Sequence, residues 1–447
     1  MEQATADRVV DRIVDPPVQR SRMIGYASGN FGKNVLASTM DFFLLFILTE
    51  RWGISPAAAG LVVMMGLVWD GVCDPLLGRL VDRSADRLGT YRRMLFVGAP
   101  VVGAFFAIFF LRPGAPESVG HDSAVLLWAI AIVLLFRTAY SVCDVAHNAL
   151  MMQLTRTPGA ATTVSGLRYM FSCCGALTVA YFAPAFVDPG ADGGSALILA
   201  TGFAAVAYVA TLWLSAASAP RSATMTAHAR KGSFAWIVGN RPFLMLLALA
   251  LAQALTLPFL ARSVAYIGKG VIQDAAWTGQ ALATLALAQL VTLPAWMALA
   301  RRSSRRRVLW CALVAIAVGL AIFAIGPEAM IAGIALFGAG NAGLQMMIWV
   351  LLADAVDHGE RRTGVRLEGL PVALLLLTLK AGGGLSGALL GRGLSAIGWT
   401  VGQPLAQDSR ALLLAMAWAV PLIGALVGLA IVFGARSGGL NRPATIA

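Results

Sequence analysis

Residues 57–81 read AAAGLVVMMGLVWDGVCDPLLGRLV, an apolar run that contains two carboxylates, Asp70 and Asp74. A helix needs about 20 predominantly apolar residues to cross a bilayer, and this run supplies them. Each ionisable residue at bilayer depth costs roughly 2.5–3.5 kcal/mol on insertion scales, so such residues are candidates for function. The run therefore predicts a transmembrane helix that carries a functional pair of acids.

Apolar runs of this kind recur along the whole chain of 447 residues. Hydrophobic residues make up 58% of the sequence and charged residues 13%, whereas soluble proteins contain roughly 45–50% apolar and about 25% charged residues. The sequence therefore predicts an all-α membrane protein of about 12 transmembrane helices in two six-helix halves. The predicted spans are 25–49, 57–81, 94–112, 124–152, 164–187, 195–219, 240–263, 274–300, 307–326, 330–353, 367–396 and 409–434.

The basic residues between the spans determine the predicted orientation. The formal net charge is +12, and the arginines form short clusters in alternate loops, as the positive-inside rule expects of cytoplasmic loops. They do not form the basic patches of nucleic-acid-binding proteins, so we expect no nucleic-acid partner. We expect both termini to face the cytoplasm. Because no targeting segment precedes the first span, a plasma (inner) membrane is favoured.

A polar stretch at 219–236 divides the predicted spans six and six. This organisation resembles the major facilitator superfamily, whose substrate site lies at the midplane between two halves. We expect such a protein to contact the lipid bilayer and to work as a monomer. The predicted units are a cytoplasmic tail at 1–24, a six-helix bundle at 25–219, a cytoplasmic linker at 220–239, a second six-helix bundle at 240–434 and a cytoplasmic tail at 435–447.

Asp70 and Asp74 lie four residues apart and therefore share one face of their helix. Two carboxylates one turn apart in a low-dielectric site do not both stay ionised without a cation. Either a metal ion such as Na⁺ neutralises them or one of them holds a proton, and both outcomes describe a site for a coupling cation. The alternative is a structural pair that binds Lys or Arg residues of other helices.

Two further predicted helices carry charges at similar depth. Asp144 lies on span four, and Ser141 precedes it by three residues on the same face. Lys380 lies beside the glycines of span eleven, where small residues allow close helix contact. Lys380 is either a counter-ion for whichever acid is unoccupied or a permanent ion-pair partner of Asp70 or Asp74.

The charges of Asp41 and Arg137 have two interpretations. We favour a buried ion pair between these residues on neighbouring helices. The alternative is that Arg137 recognises a carboxylate or phosphate on the substrate, since a guanidinium binds such groups through two parallel hydrogen bonds. Separately, Trp349 shares one face of span ten with Asn341 and Gln345, and this face could line a polar cavity.

The sequence offers little support for enzyme chemistry. The five cysteines lie inside apolar runs and lack the spacing of a metal site or a disulfide framework. We find no nucleophile–base arrangement, metal cluster or nucleotide-binding glycine loop. We therefore expect a transporter of a small-molecule substrate, with no enzyme activity and no cofactor other than the coupling cation, H⁺ or Na⁺.

Several motifs resemble those of one transporter family. Residues 26–33 (YASGNFGK), 69–78 (WDGVCDPLLG) and 353–369 (ADAVDHGERRTGVRLEG) are similar to motifs of the melibiose-permease-like glycoside–pentoside–hexuronide:cation symporters. This family is a branch of the major facilitator superfamily. The resemblance spans most of the chain, and Asp144, Arg168 and Lys380 also fall where the family has charged residues of the same type.

The resemblance implies roles for individual residues, and Lys380 would tie the two halves together near the cation site. The candidate cation-binding residues are Asp70, Asp74, Ser141 and Asp144, with Na⁺ possible at the first two. The candidate substrate-binding residues are Lys33, Asn34, Asp41, Arg137, Asp144, Asn148, Arg168, Trp349 and Lys380. The candidate gating residues, which resemble the superfamily's cytoplasmic gating motif, are Gly78, Asp82, Arg83 and Arg93.

Three positions depart from the family pattern. Asn34 stands where the family has a sugar-binding acid, and Asn148 stands where it has an aromatic residue that packs on the sugar ring. Cys73 replaces an Asn before the second acid of helix two. Because Na⁺ prefers oxygen ligands and a thiol is soft, this replacement favours proton coupling.

The sequence as a whole predicts cation-coupled symport by alternating access, with H⁺ favoured over Na⁺. The predicted solute is small and polar, and is glycoside-like, uronide-like or otherwise acidic. The alternatives on the same fold are a proton-driven exporter and a lysolipid-type transporter.

Overall fold

The protein consists almost entirely of long α-helices. The computed structural model describes residues 19–82, 87–111, 123–154, 158–187, 193–219, 234–364 and 369–434. We number the long helices and leave two short ones, Pro184–Val187 and Phe234–Gly239, without numbers. The long helices are α1 (Arg20–Phe46), α2 (Pro56–Asp82), α3 (Arg87–Phe109), α4 (Ser123–Leu154), α5 (Pro158–Phe182), α6 (Gly193–Ser218), α7 (Arg241–Thr256, continued by Pro258–Ile267), α8 (Ala275–Arg302), α9 (Arg305–Phe323), α10 (Pro327–Thr363), α11 (Gly369–Ala396) and α12 (Gln407–Gly434).

The predicted all-α membrane fold is confirmed, and each predicted span corresponds to one of the twelve helices. Eleven of the described helical segments are long and apolar enough to cross a membrane. The exception is α5, which carries Arg168 together with several small polar residues that lower its hydropathy. The predicted boundaries of the two bundles and the linker stay a prediction.

Several helices extend beyond the predicted spans, α10 furthest. α10 continues ten residues beyond the predicted end at 353, because helix formation does not require apolar residues once the chain has left the bilayer. It ends at Gly364, which has a φ of 69° and donates its N–H to the carbonyl of Glu360, the left-handed glycine termination common in helices. In α7, Pro258 lacks an N–H and divides the helix into two segments.

Helices α1–α6 are called the N-half below, and helices α7–α12 the C-half. Within the N-half, α1 packs against α5 and α6, and α3 packs against α4 and α6. Within the C-half, α10 packs against α8 and α9, and α12 packs against α7 and α9. The halves meet mainly where α2 packs against α11 and α5 against α8. The α2–α11 contact is the larger of the two, and it carries the candidate acids.

Glycines allow α2 and α11 to approach closely. A Cβ added to Gly60 would lie 2.8 Å from the carbonyl oxygen of Gly387, and one added to Gly384 would lie 3.1 Å from the Cα of Met64. Both obstacles are main-chain atoms, which cannot move aside as a flexible side chain does. Small residues at such positions are the usual means by which transmembrane helices pack backbone to backbone.

One end of the molecule is fastened by hydrogen bonds between the halves, and we call it the closed end. The hydroxyl groups of Thr49 and Tyr266 lie 2.9 Å apart, and the Ala57 amide donates to Ser395 Oγ over 3.0 Å. Between pairs of described residues, the cross-half hydrogen bonds and ion pairs lie from this end down to the depth of Asp74.

The first helix of each half ends in the same unusual way. α1 passes into a π-helical turn at Ile47–Arg51, and α7 passes into one at Gly268–Ile272. The starts of the two helices, Arg20 and Arg241, are separated by the same 221 residues as the starts of the two π-helical turns. The two halves therefore share this structural repeat, although the similarity between their sequences is weak.

The glycine contact gives a testable prediction with a matched control. Replacing a helical Gly by Ala normally stabilises by roughly 0.5–1 kcal/mol, and this gain is expected for Gly202→Ala, because nothing lies within 4 Å of the added Cβ. Gly60→Ala is expected to destabilise instead, since overpacking costs roughly 1–3 kcal/mol. Melting temperatures of the purified variants in detergent test this, and equal stability of the two would contradict the close α2–α11 contact.

Candidate functional site

Five polar side chains from three helices form what we call the carboxylate cluster. α2 contributes Asp70 and Asp74, α4 contributes Arg137 and Ser141, and α11 contributes Lys380. The two members from α2 lie four residues apart, as do the two from α4, so helical periodicity turns each pair toward the same neighbour. The two acids that were predicted to share a face do lie together.

Lys380 joins the two acids. Its Nζ lies 3.1 Å from Asp70 Oδ2 and also forms an ion pair with Asp74 Oδ2. The exposed fraction of the side chain is 6% for Asp70 and 20% for Lys380. Because α2 belongs to the N-half and α11 to the C-half, this pairing connects the halves at the depth of the site.

Asp70 has two further partners, both on α4. The Ser141 hydroxyl donates to Asp70 Oδ1, and Arg137 Nη1 lies 3.6 Å from Asp70 Oδ2. The cluster thus places two carboxylates against two cations, which meets the requirement that buried charges be paired. Asp74 Oδ1 and Arg137 Nε are buried without a hydrogen-bond partner among the described residues. The cluster therefore retains one free acceptor and one free donor.

A second group of side chains, which we call the amide cluster, lies between α1, α4 and α5. Lys33 forms an ion pair with Asp144. Asn148 donates from Nδ2 to Asp144 Oδ2 over 3.0 Å, and Arg168 donates from Nη2 to Asn148 Oδ1 over 2.6 Å. Four candidate substrate-binding residues are therefore joined in one network, and all of them belong to the N-half.

Arg168 differs from the other candidate cations of the site. It donates from Nε to Asn30 Oδ1 over 3.0 Å, and within the described ranges no carboxylate lies at ion-pair distance from it. Asn34 joins the same network, because its Nδ2 donates to Ser172 Oγ over 2.8 Å. A half-buried guanidinium held by neutral amides retains its charge for an anionic ligand.

The predicted ion pair between Asp41 and Arg137 is wrong. Arg137 pairs with Asp70, and Asp41 is exposed. The cation beside Asp41 is Arg262 of α7, whose Nε donates to the main-chain oxygen of Asp41 over 3.3 Å. Nη1 of the same guanidinium donates to the Gly383 oxygen of α11 over 2.7 Å. Helical spacing predicted the side of its own helix on which each residue lies, but it did not predict which neighbouring helix packs against that side.

The remaining candidates lie apart from both clusters. Trp349 is 48% exposed, and no described hydrogen bond links it to either cluster. Arg93 is exposed near the start of α3. Arg83 lies outside the described residues, and the surroundings of Gly78 and Asp82 are not described either.

Several residues of these networks were not among the sequence candidates. Asn30 had a usable signal, because it precedes Asn34 by one helical turn and shares its face. Arg262 had one as well, since it is an ionisable residue within an apolar run. The residues missed in these networks are Asn30, Ser172 and Arg262. At the closed end, the paired residues Glu50, Lys269 and Trp399 were missed as well.

The helical fold and the charges paired between its halves define a multi-pass membrane transporter. Residues 25–436 match the family described as MFS/sugar transport protein. The chain therefore belongs to this family of the major facilitator superfamily, and the resemblance to glycoside–pentoside–hexuronide:cation symporters is confirmed.

Three relatives match over most of their length. The chain is 26% identical to the symporter YnaJ of Bacillus subtilis, over 87% of this chain and 85% of that one. It is 25% identical to the isoprimeverose transporter of Lactiplantibacillus pentosus, over 90% of this chain and 86% of that one. It is 24% identical to the glucuronide carrier protein homolog of Escherichia coli, over 82% of this chain and 81% of that one.

Solved transporter structures share the fold. A bacterial homologue of the human lysosomal transporter Spinster, in an inward-facing and unoccupied conformation, superposes with a TM-score of 0.65. The superposition covers 92% of this chain and 95% of that one at 12% identity. At this identity the likeness concerns the fold alone.

The carboxylate cluster predicts how stability responds to loss of its lysine. Removing one partner of a buried ion pair costs roughly 3–5 kcal/mol, because the other charge stays buried without compensation. Lys380→Met is therefore expected to lower the melting temperature in detergent at neutral pH. Adding Asp74→Asn to the same chain is expected to restore most of the loss, and an equal loss in the double variant would contradict the charge-balance argument.

Proposed function

We propose that the protein is a secondary active symporter that couples the movement of a small acidic, sugar-like solute to the movement of a cation, with H⁺ favoured over Na⁺. The observation that carries this proposal is the pairing of Lys380 with Asp70 and Asp74 across the two halves. The transporter family supports the overall function, and the cation and solute are argued below from the two clusters.

The coupling step follows from the balance of charge. Two carboxylates face two cations, so a proton that binds one carboxylate leaves a surplus positive charge in the cluster. This surplus weakens the attraction between Lys380 and the acids, and Lys380 belongs to the other half. Cation binding thereby reduces the attraction between the halves at this depth. A ligand that binds one arrangement of the halves better than the other shifts their equilibrium.

The chemistry of the cluster favours H⁺ over Na⁺. The Ser141 hydroxyl already donates to Asp70, and Lys380 already occupies both acids. Sodium would need to displace the lysine and gather several oxygen ligands, and the nearby Cys73 offers only a soft sulfur. A proton needs a single carboxylate oxygen.

Arg168 is the proposed anchor for the solute. No described carboxylate lies at ion-pair distance from its guanidinium, whereas Lys33 forms an ion pair with Asp144. A relative named as a glucuronide carrier protein homolog supports a solute that combines a sugar with a carboxylate. A guanidinium binds such a carboxylate through two parallel hydrogen bonds.

The conformation is assigned from the basic loops. Alternate loops rich in Arg face the cytoplasm under the positive-inside rule, which puts both termini inside and the closed end outside. The structure then corresponds to a transporter whose halves are fastened on the outer side. In this state Lys380 pairs with both acids of the carboxylate cluster.

Cation coupling is tested first by the thermal stability of the purified protein in detergent against Na⁺, Li⁺ and pH. We expect no saturable effect of Na⁺ or Li⁺, and a pH-dependent step in stability that Asp70→Asn and Asp74→Asn both remove. A saturable stabilisation by Na⁺ that both variants lose would instead identify a sodium symporter.

The role of Arg168 is tested by comparing uptake of a radiolabelled methyl glucuronide with uptake of the matching methyl glucoside, which lacks the carboxylate. A hydrogen bond to a charged group contributes roughly 1.5–3 kcal/mol, so Arg168→Gln is expected to reduce any preference for the glucuronide by about tenfold or more. The exposed Arg301→Gln serves as the control. An unchanged preference in Arg168→Gln, at normal protein levels, would reject Arg168 as the anchor.

A further inference from the structure

Two sets of ion pairs between described residues cross from one half to the other. Lys380 with its two acids is one, and Lys269 with Glu50 is the other. The Lys33–Asp144 and Arg305–Asp354 pairs each lie within a single half. A pair that crosses between the halves must break whenever they separate at that point, so the Glu50–Lys269 pair bears directly on the conformation of the protein.

Glu50 is buried at the closed end. Its side chain is 1% exposed, and Oε2 lies 2.7 Å from Lys269 Nζ. Oε1 accepts a hydrogen bond of 2.7 Å from the indole Nε1 of Trp399. Both oxygens of this N-half carboxylate are therefore held by side chains of the C-half.

Aromatic packing surrounds the pair. The Tyr266 ring lies edge-on to Trp399, with centroids 5.0 Å apart, and its hydroxyl lies 2.9 Å from the hydroxyl of Thr49. Lys269 Nζ lies 5.7 Å from the centroid of the Phe46 ring, which adds a cation–π attraction. The apolar rings exclude water from Glu50, which strengthens its interaction with the lysine.

Both charges lie in π-helical turns. Glu50 lies in the π-helical turn that ends α1, and Lys269 lies in the corresponding turn that ends α7. A π-helical turn contains an extra residue and so changes the direction in which its side chains project. Such turns are rare and occur frequently at functional sites.

We propose that Glu50, Lys269 and Trp399 form a latch that holds the two halves together at the closed end. The proposal rests on the alternating movement of the halves in the proposed function. Like the carboxylate cluster, the latch pairs an acid of the N-half with a lysine of the C-half. It opens when the closed end opens, and its strength sets the population of the closed conformation.

Water reaches the two charged residues of the latch to different extents. The Lys269 side chain is 30% exposed, and it borders a cavity of about 190 Å³ that Phe46, Asp274 and Thr278 also line. The lysine can therefore be hydrated from this cavity as soon as it leaves Glu50. Glu50 is 1% exposed, so its hydration requires the packing around it to open.

The latch is tested by measuring the distance across the closed end with spin labels. Ser55 and Val401 are exposed there on opposite halves, and each is replaced by a labelled cysteine after the five native cysteines are changed to alanine. Double electron–electron resonance then reports the closed and open populations without any added substrate. The variants are Glu50→Gln, Lys269→Met and the charge-exchanged Glu50→Lys with Lys269→Glu.

Glu50→Gln and Lys269→Met are each expected to raise the ratio of open to closed conformers by about tenfold or more, which corresponds to about 1.4 kcal/mol. The charge-exchanged variant is expected to return most of the closed population. Glu328→Gln, which removes an exposed acid from the start of α10, is expected to leave the ratio unchanged. An unchanged helical content by far-ultraviolet circular dichroism, at the temperature of the distance measurement, establishes that the variants remain folded.

A distance distribution for folded Glu50→Gln that matches the unmodified protein would overturn the latch. So would a failure of the charge-exchanged variant to regain the closed population. The response of stability to pH and Na⁺, measured on the same samples, separates this result from the proposed function. If Glu50→Gln leaves the conformer ratio unchanged while stability still responds to pH as expected, only the latch is rejected. If the ratio changes but the expected response to pH is absent, only the proposed coupling is rejected.

Discussion

A carboxylate at membrane depth needs a compensating charge, and the arrangement of helices around the site depends on this requirement. Asp70 is buried and Asp74 is half-buried beside it, where an unpaired charge is strongly unfavourable. One compensating cation, Arg137, comes from the same half, and the other, Lys380, comes from the opposite half. The state of the acids and the position of the halves are therefore energetically linked, because a change in one alters the free energy of the other. The glycines of α11 make the link possible by allowing the lysine's helix to lie against the acids.

Hydropathy predicted the helices because a bilayer imposes the same length and apolar character on every span. The same reasoning found Asp70, Asp74 and Lys380, since an ionisable residue within an apolar run is rare enough to be a signal. It did not find Glu50 or Lys269. Both lie at the ends of apolar runs, where charged residues are common at the membrane surface and no spacing distinguishes a buried pair from two hydrated ones.

The partners of Asp41 and Arg137 could not be derived from the sequence for a different reason. Helical periodicity gives the direction of a side chain about its own axis, but the neighbour in that direction depends on how twelve helices pack. Arg137 faces α2 and pairs with Asp70, whereas the cation near Asp41 is Arg262, which lies in the other half. Pairings between distant helices depend on the tertiary structure, and the helical periodicity of a single sequence does not identify them.

The glycine contact between α2 and α11 also affects how fast the halves can move. Where large side chains interdigitate, sliding one helix past another forces each side chain over its neighbour and adds an activation barrier. Gly60 and Gly387 present main chain to main chain, so no side chain of theirs has to be lifted out of a groove. The contact therefore keeps the two helices close in both end states and adds only a small activation barrier to their relative movement. Bulkier residues at this surface would slow the exchange of conformations even where both end states could still accommodate them.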